Sequence, residues 1–81
     1  MITIKYNHNV LVLSNAGIRA LKNTKGVWEV VIDSPGCHGF FLISGDEKAA
    51  FKIVDEIYEA IEAGKTVYDL TGKAMSMEIT F

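Results

Sequence analysis

The side chains best suited to chemistry in this chain are one cysteine and two histidines. Cys37 and His38 are adjacent, with a glycine on each side. Adjacent side chains of an extended segment point to opposite sides, so this pair is not expected to form the ion pair of a thiol nucleophile. A zinc site needs about four ligands, usually with paired spacings. We therefore predict no catalytic residue, no metal site and no cofactor, and we interpret Cys37 as a dispensable thiol in a turn.

A second candidate is the run Gly64-Lys65-Thr66, which has the residue types that end a phosphate-binding loop. That motif needs a glycine five residues before its Gly-Lys pair, and Glu59 occupies the position. It also needs a strand before the loop and a helix after it. Here the predicted helix comes first, so the run is interpreted as the C-terminal cap of that helix.

The helix that this cap ends is predicted over residues 46–63. Ser44 and Glu47 have the spacing of a capping box, and Gly64 suits the left-handed conformation that follows many helices. The apolar residues at helical spacing are expected to form its buried stripe: Ala50, Ile53, Val54, Ile57 and Ile61.

Acidic residues crowd the C-terminal half of this helix, on the side opposite the stripe. Asp55, Glu59 and Glu62 project together there, where the helix dipole disfavours anions by about 0.3–1 kcal/mol each near the last turn. One interpretation is a solvated face. The other, which carries the functional prediction, is a docking face for a basic partner.

Strands are predicted where apolar and polar residues alternate, and the continuous apolar run over 10–13 is also interpreted as a strand. We pair them as hairpins over 2–13, 27–44 and 67–81. Residues 14–25 fit either a short helix or a strand over 17–22, and the strand is favoured because so short a helix would bury little. The prediction is an α+β fold, an antiparallel sheet of about five to seven strands with one helix packed on one face.

Composition limits the class of protein. The chain has 81 residues, of which 49% are hydrophobic and 22% charged, so we predict one globular domain over 1–81. The net charge of −2 argues against direct nucleic-acid binding. The absence of an apolar run of about 18 residues argues against a membrane span. The N-terminal sequence lacks the apolar region of a signal peptide, and a lone cysteine suits a reducing cytoplasm.

Several apolar residues lie where they could form contacts with another chain. Phe51 and Tyr58 are placed at one margin of the helix stripe, where they would either cover the edge of the sheet or border a contact patch for another chain. Met75, Met77 and Phe81 are predicted to share one face of the last strand. Trp28, Cys37 and His38 are the residues we assign to a small-ligand pocket at a dimer seam, should one exist.

The segment SGDEKAAFKIVDEIYEAIEAGKTVYDL, residues 44–70, resembles small uncharacterised proteins of phages and mobile elements. In those proteins a sheet is followed by a serine-capped helix, a Gly-Lys stop and a short strand. The resemblance implies a small cytoplasmic accessory protein, and some proteins of this kind inhibit host defence enzymes, as anti-CRISPR proteins do. It transfers no functional residue to this chain.

From these observations we predict a non-enzymatic protein-binding module that acts by occupying a partner surface, as a homodimer. An inhibitor of a host or defence enzyme is the specific form that the resemblance implies. The alternative is a small-ligand-binding or sequestering protein with its site at the dimer seam.

Overall fold

Seven strands and one helix make up the computed structural model, which describes residues 1–80. In chain order they are β1 Ile2–Tyr6, β2 Asn9–Leu13, β3 Gly17–Lys22, β4 Trp28–Ser34, β5 Cys37–Ile43, α1 Glu47–Glu62, β6 Val67–Asp69 and β7 Ala74–Thr80. The α+β prediction is confirmed. The ambiguous stretch 14–25 contains strand β3, as the sequence favoured.

The strands form two sheets. A three-stranded sheet has the order β2-β1-β6, and a four-stranded sheet has the order β3-β4-β5-β7. The predicted hairpins over 2–13 and 27–44 are present as the antiparallel pairs β1/β2 and β4/β5. Their turns use Asn7 and Gly36 at positive φ, as the turn sequences require.

The predicted hairpin over 67–81 is corrected. β6 pairs in parallel with β1, whereas β7 pairs with β5 in the other sheet. The turn at 71–73 therefore carries the chain from one sheet to the other, and the side chain of Leu70 before it is fully buried. A turn sequence specifies a reversal of direction, but the strand that each arm joins is decided by long-range packing.

One core lies between the two sheets and the helix. The three-stranded sheet contributes Ile4 and Leu13, and the four-stranded sheet contributes Ile32 and Phe41, all at most 1% exposed. Tyr6 meets Phe41 edge to face, with ring centroids 5.8 Å apart. This contact holds β1 over β5, because aromatic pairs of this geometry are favourable beyond the area that they bury.

Helix α1 begins two residues later than a Ser44 cap would place it. The N-cap is Asp46, whose Oδ1 accepts the backbone N–H of Ala49 at 3.3 Å. Gly45 has a φ of 112° and separates Ser44 from the helix, so the predicted capping box does not form. The C-terminal end is as predicted, because Gly64 has a φ of 75° and Lys65 donates its N–H to the Ala60 carbonyl.

The buried stripe of α1 is also corrected at one position. Ala50, Ile53, Ile57 and Ala60 are buried, whereas Ile61 is 53% exposed and Val54 is half-buried. The helix is therefore rotated toward Ala60, which brings Ile61 out of the core. Within the described residues no helix is long and apolar enough to cross a membrane.

Candidate functional site

A second apolar row runs along α1 beside the buried stripe. We call it the apolar shoulder, and it consists of Phe51, Val54, Tyr58 and Ile61. Their spacing of three, four and three residues places them on one flank of an α-helix. Phe51, Tyr58 and Ile61 are 45%, 61% and 53% exposed. The shoulder is therefore a continuous row of large apolar side chains that this chain does not cover.

The shoulder is anchored at one end by an aromatic contact. The ring of Phe51 packs edge to face on Trp28, with centroids 5.5 Å apart and an interplanar angle of 77°. Trp28 is half-buried and lies at the start of β4. Near the other end, the Tyr58 hydroxyl donates a hydrogen bond of 3.1 Å to Glu62 Oε1.

The shoulder faces the open edge of the four-stranded sheet. Helix α1 packs over β3 and β4, while the three-stranded sheet covers β5 through Tyr6 and Phe41. The flank of α1 opposite the shoulder contacts β6, because Glu56 bonds to Tyr68 there. The remaining flank, which carries the shoulder, is thus on the side where β3 ends the sheet.

Strand β3 presents free backbone groups along this edge. Within residues 1–80 its only strand partner is β4, and Asn23 donates its N–H to Val27 at the end of that pair. Because backbone groups of an antiparallel pair alternate in direction, Ile18, Ala20 and Lys22 direct their N–H and C=O groups away from β4. Such a row is a template for a further strand.

The acidic face lies next to the shoulder on the helix. Asp55, Glu59 and Glu62 are all exposed, and the last turn of α1 contains no basic residue. None of these three carboxylates forms an ion pair with any part of residues 1–80. The cations of the helix, Lys48 and Lys52, lie in its first half and are also unpaired within that range.

The other flank of α1 carries a polar cluster that the sequence did not single out. The Tyr68 hydroxyl donates to Glu56 Oε1 at 2.9 Å, and Lys73 Nζ lies 3.3 Å from the same oxygen. Lys73 also lies 4.8 Å from the centre of the Tyr68 ring. The partners of Glu56 are 12 and 17 residues away in the chain, so no local sequence pattern distinguishes it from the other acidic residues of the helix.

These contacts change the proton affinities of the cluster. The hydrogen bond from Tyr68 is the main cause that holds the pKa of Glu56 below its usual value. Burial opposes it with a smaller effect, and Lys73 lowers the pKa further. Burial raises the pKa of Tyr68, and the bond to Tyr68 raises the pKa of Lys73. The carboxylate, phenol and ammonium forms are therefore all favoured, which suits a structural tie between helix and sheets better than proton transfer at neutral pH.

The three residues assigned to a ligand pocket are not brought together within one chain. Cys37 is buried in the core, whereas the His38 side chain is 69% exposed and contacts Asp33 at 2.6 Å. Trp28 lies at the opposite end of β4 from Ser34, the partner of Cys37. At the usual rise per residue of a β-strand, the two ends of β4 are about 20 Å apart. The expectation that Cys37 and His38 point apart is confirmed.

The methionines of the last strand are separated by a bulge. The register between β5 and β7 shifts at Leu42 and Ile43, so the alternation expected from the sequence is interrupted after Ala74. Met77 packs against the core, whereas Met75 is 56% exposed. Phe81, the third residue of that predicted face, lies outside the described residues.

No group of three or more potential metal ligands converges anywhere in the described part of the chain. Comparison with known proteins finds no matching family model, no similar curated protein and no similar solved structure. The surface with the most distinctive chemistry is the shoulder of α1 together with the open edge of β3.

Proposed function

We propose that this protein is a non-enzymatic protein-binding module that acts by covering a surface of another protein chain with helix α1. The apolar shoulder is the observation that supports this proposal. Isolated apolar side chains on a surface are ordinary. A contiguous apolar row with a polar rim is typical of an interaction site, and Phe51, Tyr58 and Ile61 form such a row.

The charges beside the shoulder define the chemistry of the partner. Asp55 and Glu62 border the shoulder on the solvent side and are not neutralised by this chain's cations. The partner surface is therefore an apolar patch flanked by basic side chains. Burial of the shoulder supplies affinity, while the unpaired carboxylates accelerate association and make it sensitive to salt.

The alternative of a small-ligand binder has less support. Trp28 lies at the far end of the β4–β5 pair from Cys37 and His38, Cys37 is enclosed by the core, and the His38 side chain points away from it into solvent. A ligand site at a dimer seam could therefore not use the three residues together within one chain.

A photo-crosslinking experiment tests the proposal. Benzoylphenylalanine replaces Tyr58 in one variant and Val10, which is equally exposed on the outer face of β2, in a control. Position 58 should crosslink to one defined protein chain that position 10 does not reach. Binding of that chain, once purified, should be lost in a Tyr58→Ser/Ile61→Ser variant and retained in Val10→Thr/Val12→Thr. Identical crosslinks from both positions, or none from position 58, would refute the proposed function.

A further inference from the structure

We infer that the chain covering the apolar shoulder is a second copy of this protein, joined edge to edge through β3. The inference rests on the proposed function and specifies its partner. In this dimer, two four-stranded sheets become one antiparallel sheet of eight strands, four from each copy. The two α1 helices lie side by side on one face of that sheet.

The edge of β3 is suited to pairing because it is regular. Six residues of β3 pair with β4 in unbroken register, and the strand contains no proline. At the far edge of the same sheet, β7 has a bulge, which protects an edge against pairing. One edge strand of the three-stranded sheet, β6, has only three residues, which is half the length of β3.

Backbone pairing and charge together favour a register centred on Ala20. A two-fold axis at Ala20 pairs Ile18 with Lys22 of the second copy and Arg19 with Leu21 of the second copy. All three residues that direct backbone groups outward then form hydrogen bonds. A shift that places the axis at Arg19 would set two guanidinium groups directly opposite each other, and like charges in such pairs are destabilising. The side chain of Ala20 is also small, so it leaves space between the paired β3 strands and the helices that lie over them.

The helices come within contact distance in this arrangement. Paired strands are about 4.8 Å apart, and packed helices have axes about 8–10 Å apart. Because α1 packs over β3 and β4, two helices related by an axis at the β3 seam are separated by a distance of this order. Their shoulders face each other, so that Phe51, Tyr58 and Ile61 of each copy are covered by the same residues of the other.

Charge complementarity along the helix supports a second copy as the occupant. The charges of α1 that lie nearest the shoulder are Lys48 in the first half of the helix and Asp55 and Glu62 in the second half, whereas Lys52 is on the flank of Glu56. A two-fold axis makes the helices antiparallel, so the basic half of each lies beside the acidic half of the other. The second copy therefore has the chemistry required of the partner, an apolar row flanked by cations. Two parallel helices would have opposed like charges instead.

A charge-reversal experiment tests this arrangement by sedimentation equilibrium. Variant one is Asp55→Lys/Glu62→Lys and variant two is Lys48→Glu. These side chains are exposed, so both variants should remain folded by circular dichroism. Each alone should raise the Kd of the dimer roughly tenfold, the effect of a few partly screened ion pairs. An equimolar mixture should restore wild-type affinity, because acid then meets base on both sides of the seam.

Hydrogen exchange tests the strand seam without a mutation. The amides of Ile18, Ala20 and Lys22 should be protected in concentrated wild-type protein and exchange rapidly after dilution below the Kd. The amides of Arg19 and Leu21, which bond to β4, should be protected at both concentrations. Ala20→Pro, which removes one outward donor, should give a folded monomer.

The outcomes separate this inference from the proposed function. A wild-type monomer at every concentration overturns the dimer, and the proposed function then stands only if position 58 crosslinks to a different protein. A dimer that persists in both Ala20→Pro and Tyr58→Ser/Ile61→Ser uses another surface and overturns the inference. Failure of the mixed charge variants to recover affinity refutes the antiparallel helix arrangement.

Discussion

The hydroxyl of Tyr68 donates a 2.9 Å hydrogen bond to Glu56, and this contact joins the two layers of the molecule. Tyr68 belongs to β6 in the three-stranded sheet, and Glu56 to the helix that packs over the four-stranded sheet. The bond fixes which flank of α1 faces the interior. Because Glu56 is on that flank, the apolar shoulder is left on the outer one, beside β3.

The first prediction is that Glu56→Gln weakens the fold in a pH-dependent way. The pKa of Glu56 is lowered from its usual 4.5 by Tyr68 and then by Lys73. Its stabilisation is therefore present above pH 4.5 and is lost as the pH falls through the lowered pKa. We expect a loss of about 1 kcal/mol or less at neutral pH, since the carboxylate is partly solvated.

Urea unfolding across the acid range measures this effect. The difference between wild type and Glu56→Gln should shrink as the pH decreases. Glu59→Gln, which removes a carboxylate without an ion pair, serves as the matched control and should follow wild type. A Glu56→Gln difference that is constant with pH would show that the carboxylate charge does not contribute.

The second prediction concerns the close approach of β5 and β7 at Gly39. A Cβ added at Gly39 would overlap Ile79 Cδ1 and would lie 2.5 Å from the Glu78 carbonyl oxygen. Gly39→Ala should therefore lower the unfolding free energy by about 1–3 kcal/mol, the usual cost of overpacking. At Gly17 the closest atom would be 3.8 Å away, so Gly17→Ala is the control. Equal denaturation midpoints for the two variants would contradict the β5–β7 register.

The third prediction separates the observed helix cap from the one that the sequence suggested. Asp46→Ala removes the acceptor of the Ala49 N–H and should cost about 0.5–2 kcal/mol. Ser44→Ala should leave the unfolding free energy unchanged, because Ser44 is exposed and outside the helix. Thermal denaturation of both variants decides between the caps, and the opposite ranking would place the helix start at Ser44.

The fourth prediction replaces the expectation that Cys37 is dispensable for folding. Cys37 is 8% exposed and belongs to the core, so Cys37→Ser puts a hydroxyl group among apolar side chains. The expected cost is about 1–3 kcal/mol if that group finds no partner. Cys37→Ala should cost less, because it buries no polar group. A thiol reagent should modify the native protein much more slowly than the unfolded protein, and rapid modification would show that Cys37 is accessible.

Local sequence was sufficient for the secondary structure and for two of the three hairpins. Alternation predicted β1, a continuous apolar run predicted β2, and the turn at Pro35-Gly36 predicted the β4–β5 pair. Each of these features depends on residues that are close in the chain, where side-chain period and turn geometry have direct effects. The end of the helix at Gly64 was predicted for the same reason, because it depends on residues that are close in the chain.

Part of the candidate surface was also accessible from the sequence. Phe51 and Tyr58 were placed at the margin of the helix stripe, where the structure has them. Ile61 was assigned to the core because its spacing fits the stripe as well as Ala60 does. The helix carries more apolar residues than one buried face can hold, and only the rotation of α1 on the sheet decides which row is exposed.

The sequence by itself thus determined the fold class, the strand and helix types and the presence of a surplus of apolar residues on α1. The tertiary structure decided that β6 and β7 belong to different sheets, that Glu56 rather than Asp55 faces Tyr68, and that the shoulder lies beside an open strand edge. The physical reason is the separation along the chain over which each kind of interaction acts. Periodicity and turn chemistry act over a few residues, whereas sheet order and helix rotation depend on contacts such as Tyr6 with Ala74, which are 68 residues apart.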